Sequence, residues 1–310
     1  MLSPVIGLKP ISLSRSQIRA GAISIVCAAL VSACATPPKE VSDVKIGDLL
    51  QQTQNMSPEQ QELALVQADR AFRARDYDTA LQKYSALINA KAETPEVREG
   101  HAESLLAKQE LDSALISFKK LTKMPGYEAK GYQGQGIVHA RTLALDVAKE
   151  NLEKATELDP ELWRSWNALG QIADIEEDWV AAEIAYNKAL EVNPKSAATI
   201  NNLGMSALLQ GRLDASLASF ERALEIDPSS DVVQRNRRLV LAMQGKYGEA
   251  IKNASPDQIA RELNNVAFIA MHRGDHSEAR RMLDRSINST DTYYQKAEEN
   301  LDQLDEMSGQ

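Results

Sequence analysis

Two histidines four residues apart, His272 and His276, would share a metal ion if a single helix carried both. Gly274 lies between them and breaks such a helix, and no Cys or Glu stands at a matching place, so they read as turn residues. The stretch Gly131-Tyr-Gln-Gly134-Gln-Gly136 has the glycine density of a phosphate loop. It lacks the GxGxxG order, a preceding strand and a Lys-Ser/Thr pair, so its glycines read as places where helices touch. Arg273-Gly274-Asp275 spells an adhesion tripeptide but occupies a turn. His101 and His139 stand apart from each other, and the carboxylate pairs Glu176-Glu177 and Glu298-Glu299 lie on polar faces with no partner base. No catalytic residue, metal or cofactor is expected, and the chain does not read as an enzyme.

One residue does carry chemistry. Cys34 follows Val31-Ser32-Ala33, and residues 20–33 form an uncharged apolar run too short to span a bilayer as a helix. Residues 1–19 are polar and basic, with Lys9, Arg15 and Arg19. An aliphatic residue, two small ones and a cysteine resemble the lipobox of bacterial lipoproteins, where small residues fit the peptidase cleft and the thiol accepts a diacylglyceryl group. Cys27 does not fit, because bulky Val26 precedes it. The alternative is an ordinary secretory signal cut after Ala33. The resemblance implies a signal peptide over 1–33, lipidation at Cys34 and, from Ala35, an outer-membrane lipoprotein facing the periplasm. Residues 34–57, with Pro37 and Pro38, read as a lipidated, flexible tether reaching roughly 25 Å.

The 310 residues are 43% hydrophobic and 25% charged, a balance that suits a folded protein rather than a disordered one. Aromatic residues are scarce at 5%, which favours close-packed helices over a sheet. The net charge is −9, and the first 33 residues hold three cations and no acid, so the remainder is more acidic still. Such a chain is repelled by nucleic acid and gains nothing from an anionic lipid surface, so its partners are expected to be proteins, with membrane contact only through the lipid. The only cysteines are Cys27 and Cys34, which excludes a disulfide framework.

What must position anything else is a repeat. Pro194 and Pro228 are 34 residues apart, as are Gly170 and Gly204, and Ala189 and Ala223. Gly136, Ala155 and Pro160 hold the same register one unit earlier. Units therefore begin at residues 61, 95, 129, 163, 197, 231 and 260. Small residues recur at unit position 20: Ala80, Ala114, Ala148, Ala182, Ser216, Ala250 and Ala279. Position 8 is small so that the second helix can approach the first, while large residues at positions 4, 7 and 24 fill the space between them. Proline at position 32 stops the second helix. This pattern resembles the tetratricopeptide repeat, which implies an all-α, right-handed solenoid of about seven helix-turn-helix units over 58–307, closed by a capping helix from Tyr293 to Met307. Unit six is five residues short and has Ala254 at position 24, so a distorted stack is expected near 250–262.

In that family, first helices line a concave face to which unit positions 2, 5, 6, 9, 12 and 13 point. Positions 9 and 13 are largely polar in units one to four, including Asp69, Arg73, Glu103 and Arg141. In units five and six they become Met205, Leu209, Leu239 and Met243, and unit seven has Phe268 and His272. Asn167, Asn201, Asn202, Asn236, Asn264 and Asn265 run beside them. Exposed apolar groups on one face mark a binding site, methionine adapts to varied partners, and amides can grip a peptide backbone. The expected partner groove comprises Asn167, Asn202, Met205, Leu209, Asn236, Leu239, Met243, Asn265 and Phe268.

Asn201-Asn-Leu-Gly-Met-Ser-Ala-Leu-Leu-Gln-Gly-Arg-Leu-Asp214, Leu263-Asn-Asn-Val-Ala-Phe-Ile-Ala-Met-His-Arg-Gly-Asp275 and Thr292-Tyr-Tyr-Gln-Lys-Ala-Glu-Glu-Asn-Leu301 resemble the TadD family of tight-adherence (Tad, Flp-type) pilus assembly lipoproteins. The likeness covers about residues 163–305. It implies a scaffold that helps localise or assemble a secretin channel or another pilus export component. The alternative is a general cell-envelope adaptor recruiting cell-wall or outer-membrane biogenesis proteins.

Overall fold

A computed structural model describes residues 56–252, 254–255, 258–289 and 295–309. The expected leader, Cys34 and most of the expected tether lie outside the described residues, as do Thr292, Tyr293 and Tyr294. Among the described residues there are fifteen helices and no strand. They pair as first and second helices of successive units. These are α1 (Pro58–Arg73) with α2 (Tyr77–Asn89), α3 (Pro95–Ala107) with α4 (Leu111–Leu121), and α5 (Glu128–Arg141) with α6 (Leu145–Leu158). Next come α7 (Trp163–Ile175) with α8 (Trp179–Val192), and α9 (Ala197–Leu209) with α10 (Leu213–Ile226). The last two pairs are α11 (Asp231–Met243) with α12 (Tyr247–Ile251), and α13 (Ile259–Arg273) with α14 (His276–Ile287). Helix α15 (Gln295–Ser308) closes the series. None of these helices is long and apolar enough to cross a membrane.

The helix starts are written into the local sequence. Ser57 caps α1 in a reciprocal box with Gln60, and Pro58 supplies a preset first turn. Asp76, Thr94, Asp178 and Ser196 each accept a backbone N–H at the start of α2, α3, α8 and α9. The turn between helices has one fixed geometry. Unit position 15 is left-handed in all seven units: Arg75, Gln109, Leu143, Glu177, Gly211, Gly245 and Gly274.

The spacing rule for the core holds at position 20, where all seven small residues are buried. Opposite them, Tyr84, Phe118, Leu152, Tyr186, Phe220 and Leu283 fill position 24 and are buried too. The glycines of α5 behave as contact points. A Cβ on Gly131 would stand 2.5 Å from Thr122, and one on Gly136 would stand 2.5 Å from Leu152.

The rule fails in one place. Position 8 of unit six is Arg238, not a small residue, and it is 91% buried, with only 9% of its surface exposed. Here α12 has only five residues and Ala254 leaves position 24 small, so the arginine occupies room that a ring fills elsewhere. Its charge meets Glu262 at the start of α13, Nη1 to Oε1 3.2 Å, and both side chains are buried. The expected distortion near 250–262 is therefore a shortened second helix with an ion pair beside it.

Consecutive first helices touch along the whole series, from α1 with α3 to α13 with α15, whereas consecutive second helices do not. The first helices therefore crowd on the inner side of the curve, and the second helices splay on the outer side. Helix α15 touches both α13 and α14, the contacts of a first helix in an eighth unit. It buries Ala297 and Leu304.

Candidate partner-binding groove

The inner face has two chemically different halves. Over units one to four it is ionic. Glu99 accepts from Lys130 at 2.9 Å, joining α3 to α5. Glu103 takes both prongs of Arg164, Nη1 to Oε1 2.8 Å and Nη2 to Oε2 3.1 Å, joining α3 to α7 across α5. A bond that skips a helix is possible only where first helices converge, and the glycines of α5 let that helix sit back toward α4 and α6. Burial opposes the Arg164 charge, but Glu103 outweighs it and the guanidinium pKa is raised. Tyr84 Oη donates to Asp69 Oδ1 at 2.6 Å.

Over units four to six the asparagines form a ladder. Asn202 Nδ2 donates to Asn167 Oδ1 at 3.0 Å, Asn201 Nδ2 reaches Asn202 Oδ1 at 3.4 Å, and Asn236 Nδ2 donates to Asn201 Oδ1 at 2.8 Å. These amides tie neighbouring units together, and only their remaining capacity is open to a partner. Asn264 is buried and accepts from Asn300 of α15 at 2.8 Å, so it fastens the cap. Asn265 is exposed.

The apolar stripe is half sunk. Met205, Leu239 and Met243 pack their lower parts on the core formed by Leu190, Ile200, Leu208, Phe220 and Val240. Leu209 is likewise partly buried. Phe268 is 39% exposed and lies against His272 at a tilt of 43°, ring centroids 4.2 Å apart. The nine residues singled out by the repeat register thus lie on four consecutive first helices, α7, α9, α11 and α13, but differ in availability. Phe268 and Asn265 are the most open.

Sequence reasoning missed the pairing of Glu103 with Arg164. The register puts positions 9 and 2 on the same face, but only the curvature of the stack brings them together across a unit. Among the described residues no group of three or more His, Cys, Asp or Glu could hold a metal ion. His272 lies in the last turn of α13 and His276 begins α14, separated by left-handed Gly274.

Fold and groove together define a helical-repeat solenoid whose concave side is a protein-sized surface rather than a small-molecule cleft. The model of the tetratricopeptide repeat matches residues 65–128, 135–198 and 185–231, and the chain belongs to that family. Among solved structures it is similar to a thermophilic tetratricopeptide-repeat protein of Thermus thermophilus, at 21% identity and TM-score 0.51, over 62% of this chain and 99% of that one. It is also similar to pilF of Pseudomonas aeruginosa, at 16% identity and TM-score 0.51, over 67% of this chain and 97% of the other. The C-terminal part of a repeat-containing protein from Cytophaga hutchinsonii aligns at 14% identity and TM-score 0.50, over 76% and 98%. These likenesses establish the fold. No curated protein sequence matches the chain.

Proposed function

We propose that this protein is an outer-membrane-anchored, periplasm-facing scaffold that holds segments of partner proteins in its concave groove during assembly of a Tad/Flp-type pilus or secretion system. Tetratricopeptide repeats bind proteins, and the observation that carries the reading is the apolar stripe Met205, Leu209, Leu239, Met243 and Phe268 on one inner face. The anchor rests on Val31-Ser32-Ala33-Cys34 behind its apolar run, and the pilus assignment on the three stretches that resemble TadD. The mechanism is tethering. Lipid at one end and groove along the other hold a subunit near the membrane surface, which raises its effective concentration for assembly.

Two variants test the groove. Leu239→Glu with Met243→Glu removes the stripe where it is half sunk, and Phe268→Glu removes it where it is most open. Both are expected to lose co-purification of pilus or secretin proteins from envelope extracts while keeping wild-type helical content. Folded variants that capture the same proteins at full strength would move the site elsewhere. If wild-type captures cell-wall or outer-membrane biogenesis proteins in place of pilus components, the chain is a general envelope adaptor. Cys34→Ser is expected to release the protein from the outer-membrane fraction, and a variant that still pellets there would be anchored by another part.

A further inference from the structure

In the ionic half of the groove, Arg141 is a cation that no acid engages directly among the described residues. Glu103 and Leu106 are one turn apart on α3, so groups bound to them lie side by side. Arg164 occupies both oxygens of Glu103, while Arg141 of α5 donates from Nη1 to the Leu106 carbonyl at 2.9 Å. Glu99, the other acid nearby, is engaged by Lys130. Arg141 thus has a neutral carbonyl as its hydrogen-bond partner among the described residues, and its side chain is exposed to the groove. Burial and then the adjacent Arg164 charge pull its pKa below the ordinary guanidinium value, with Glu103 opposing. A further anion at this point would relieve that repulsion.

We infer that Arg141, backed by Arg164, binds a carboxylate of the partner segment whose apolar residues lie along Met205, Leu239 and Phe268. This deepens the groove reading and rests on it. Neighbouring first helices pack roughly 8–10 Å apart, so two steps from α5, which carries Arg141, to α9, which carries Met205, span about 16–20 Å, or about five to six extended residues. The partner motif is then an acid separated by about that spacing from an apolar pair. Between the two, the asparagine ladder is largely satisfied within itself and offers a polar, uncharged passage.

The test is selection from a random sixteen-residue peptide library, presented with free and with capped carboxyl ends, on the full chain in detergent. The expected result is enrichment of peptides with an apolar pair and an acid at fixed spacing. Arg141→Gln should weaken binding of these peptides by about tenfold to a hundredfold, as loss of a charge-assisted hydrogen bond does. Arg141→Lys should recover part of it, and unchanged melting in both variants checks the fold. Enrichment only with free ends assigns the carboxylate to a chain terminus, and enrichment with both assigns it to Asp or Glu. Apolar peptides with no acid preference, or an acid preference that survives Arg141→Gln, would overturn the carboxylate site and leave the groove standing. No enrichment of any peptide would overturn both.

Discussion

Gly170→Ala and Gly248→Ala are the same chemical change on two helices, and the structure gives them opposite signs. A Cβ on Gly170 would sit 2.6 Å from Tyr186 Cε1 and 2.7 Å from its Cδ1, roughly 1 Å inside ordinary contact. The ring has little freedom to retreat. It is 1% exposed, and its hydroxyl donates to Asp174 Oδ2 at 2.7 Å, while Ser206 donates to the other oxygen of the same carboxylate at 2.6 Å. Overpacking costs about 1–3 kcal/mol. Displacing the hydroxyl from a buried carboxylate adds about 1.5–3 kcal/mol. Better helix propensity returns about 1 kcal/mol. The net expectation is a loss of about 1.5–5 kcal/mol, or a Tm lower by roughly 3–20 °C for a domain of this size. A Cβ on Gly248 meets nothing within 4 Å, so alanine there should stabilise by about 0.5–1 kcal/mol. Urea titrations followed by circular dichroism decide it. A Gly170→Ala protein as stable as wild type, or two variants shifted alike, would mean that the close approach of α7 and α8 is not what fixes glycine at position 8.

Leu143 sits exposed at the left-handed turn position that later units give to glycine, so Leu143→Asn should raise the urea midpoint by about 0.5–1 kcal/mol in stability terms; an unchanged or lower midpoint would contradict the assigned turn. Arg238→Ala leaves buried Glu262 with only the more exposed Arg261, 3.5 Å away, and should cost about 2–4 kcal/mol, whereas Arg238→Met with Glu262→Gln should recover most of that. Equal melting points for single and double variants would count against the pair. His101, held down to about 4 chiefly by burial and then by Arg98, binds its proton more weakly folded than unfolded. Its contribution is therefore present above pH 6.5 and lost as pH falls toward 4, so stability should rise across that window more steeply in wild type than in His101→Gln; parallel curves would refute it.

The sequence by itself determined the repeat. Alanine, serine or glycine recurring at a 34-residue spacing, with a ring or leucine at position 24 in every unit but the shortened sixth, is a statement about how near two helices can come. It also determined which residues share the inner face, because periodicity assigns Met205, Leu239 and Phe268 to one side of their helices. It did not determine how open that face is. The lower parts of Met205, Leu239 and Met243 are absorbed by the core, and the asparagines spend hydrogen bonds on one another, which depends on the angle at which units stack. Tertiary structure alone decided three further things. Arg238 fills a position reserved for small residues because the helix that would collide with it ends after five residues. Leu143 and Glu177 adopt a glycine conformation because the helices on either side impose it. Glu103 and Arg164, 61 positions apart, meet because curvature brings first helices together and α5 is thin enough to reach across. Local patterns record short-range sterics well. The pairing of long polar side chains depends on the curvature summed over several units, and no single unit's sequence contains it.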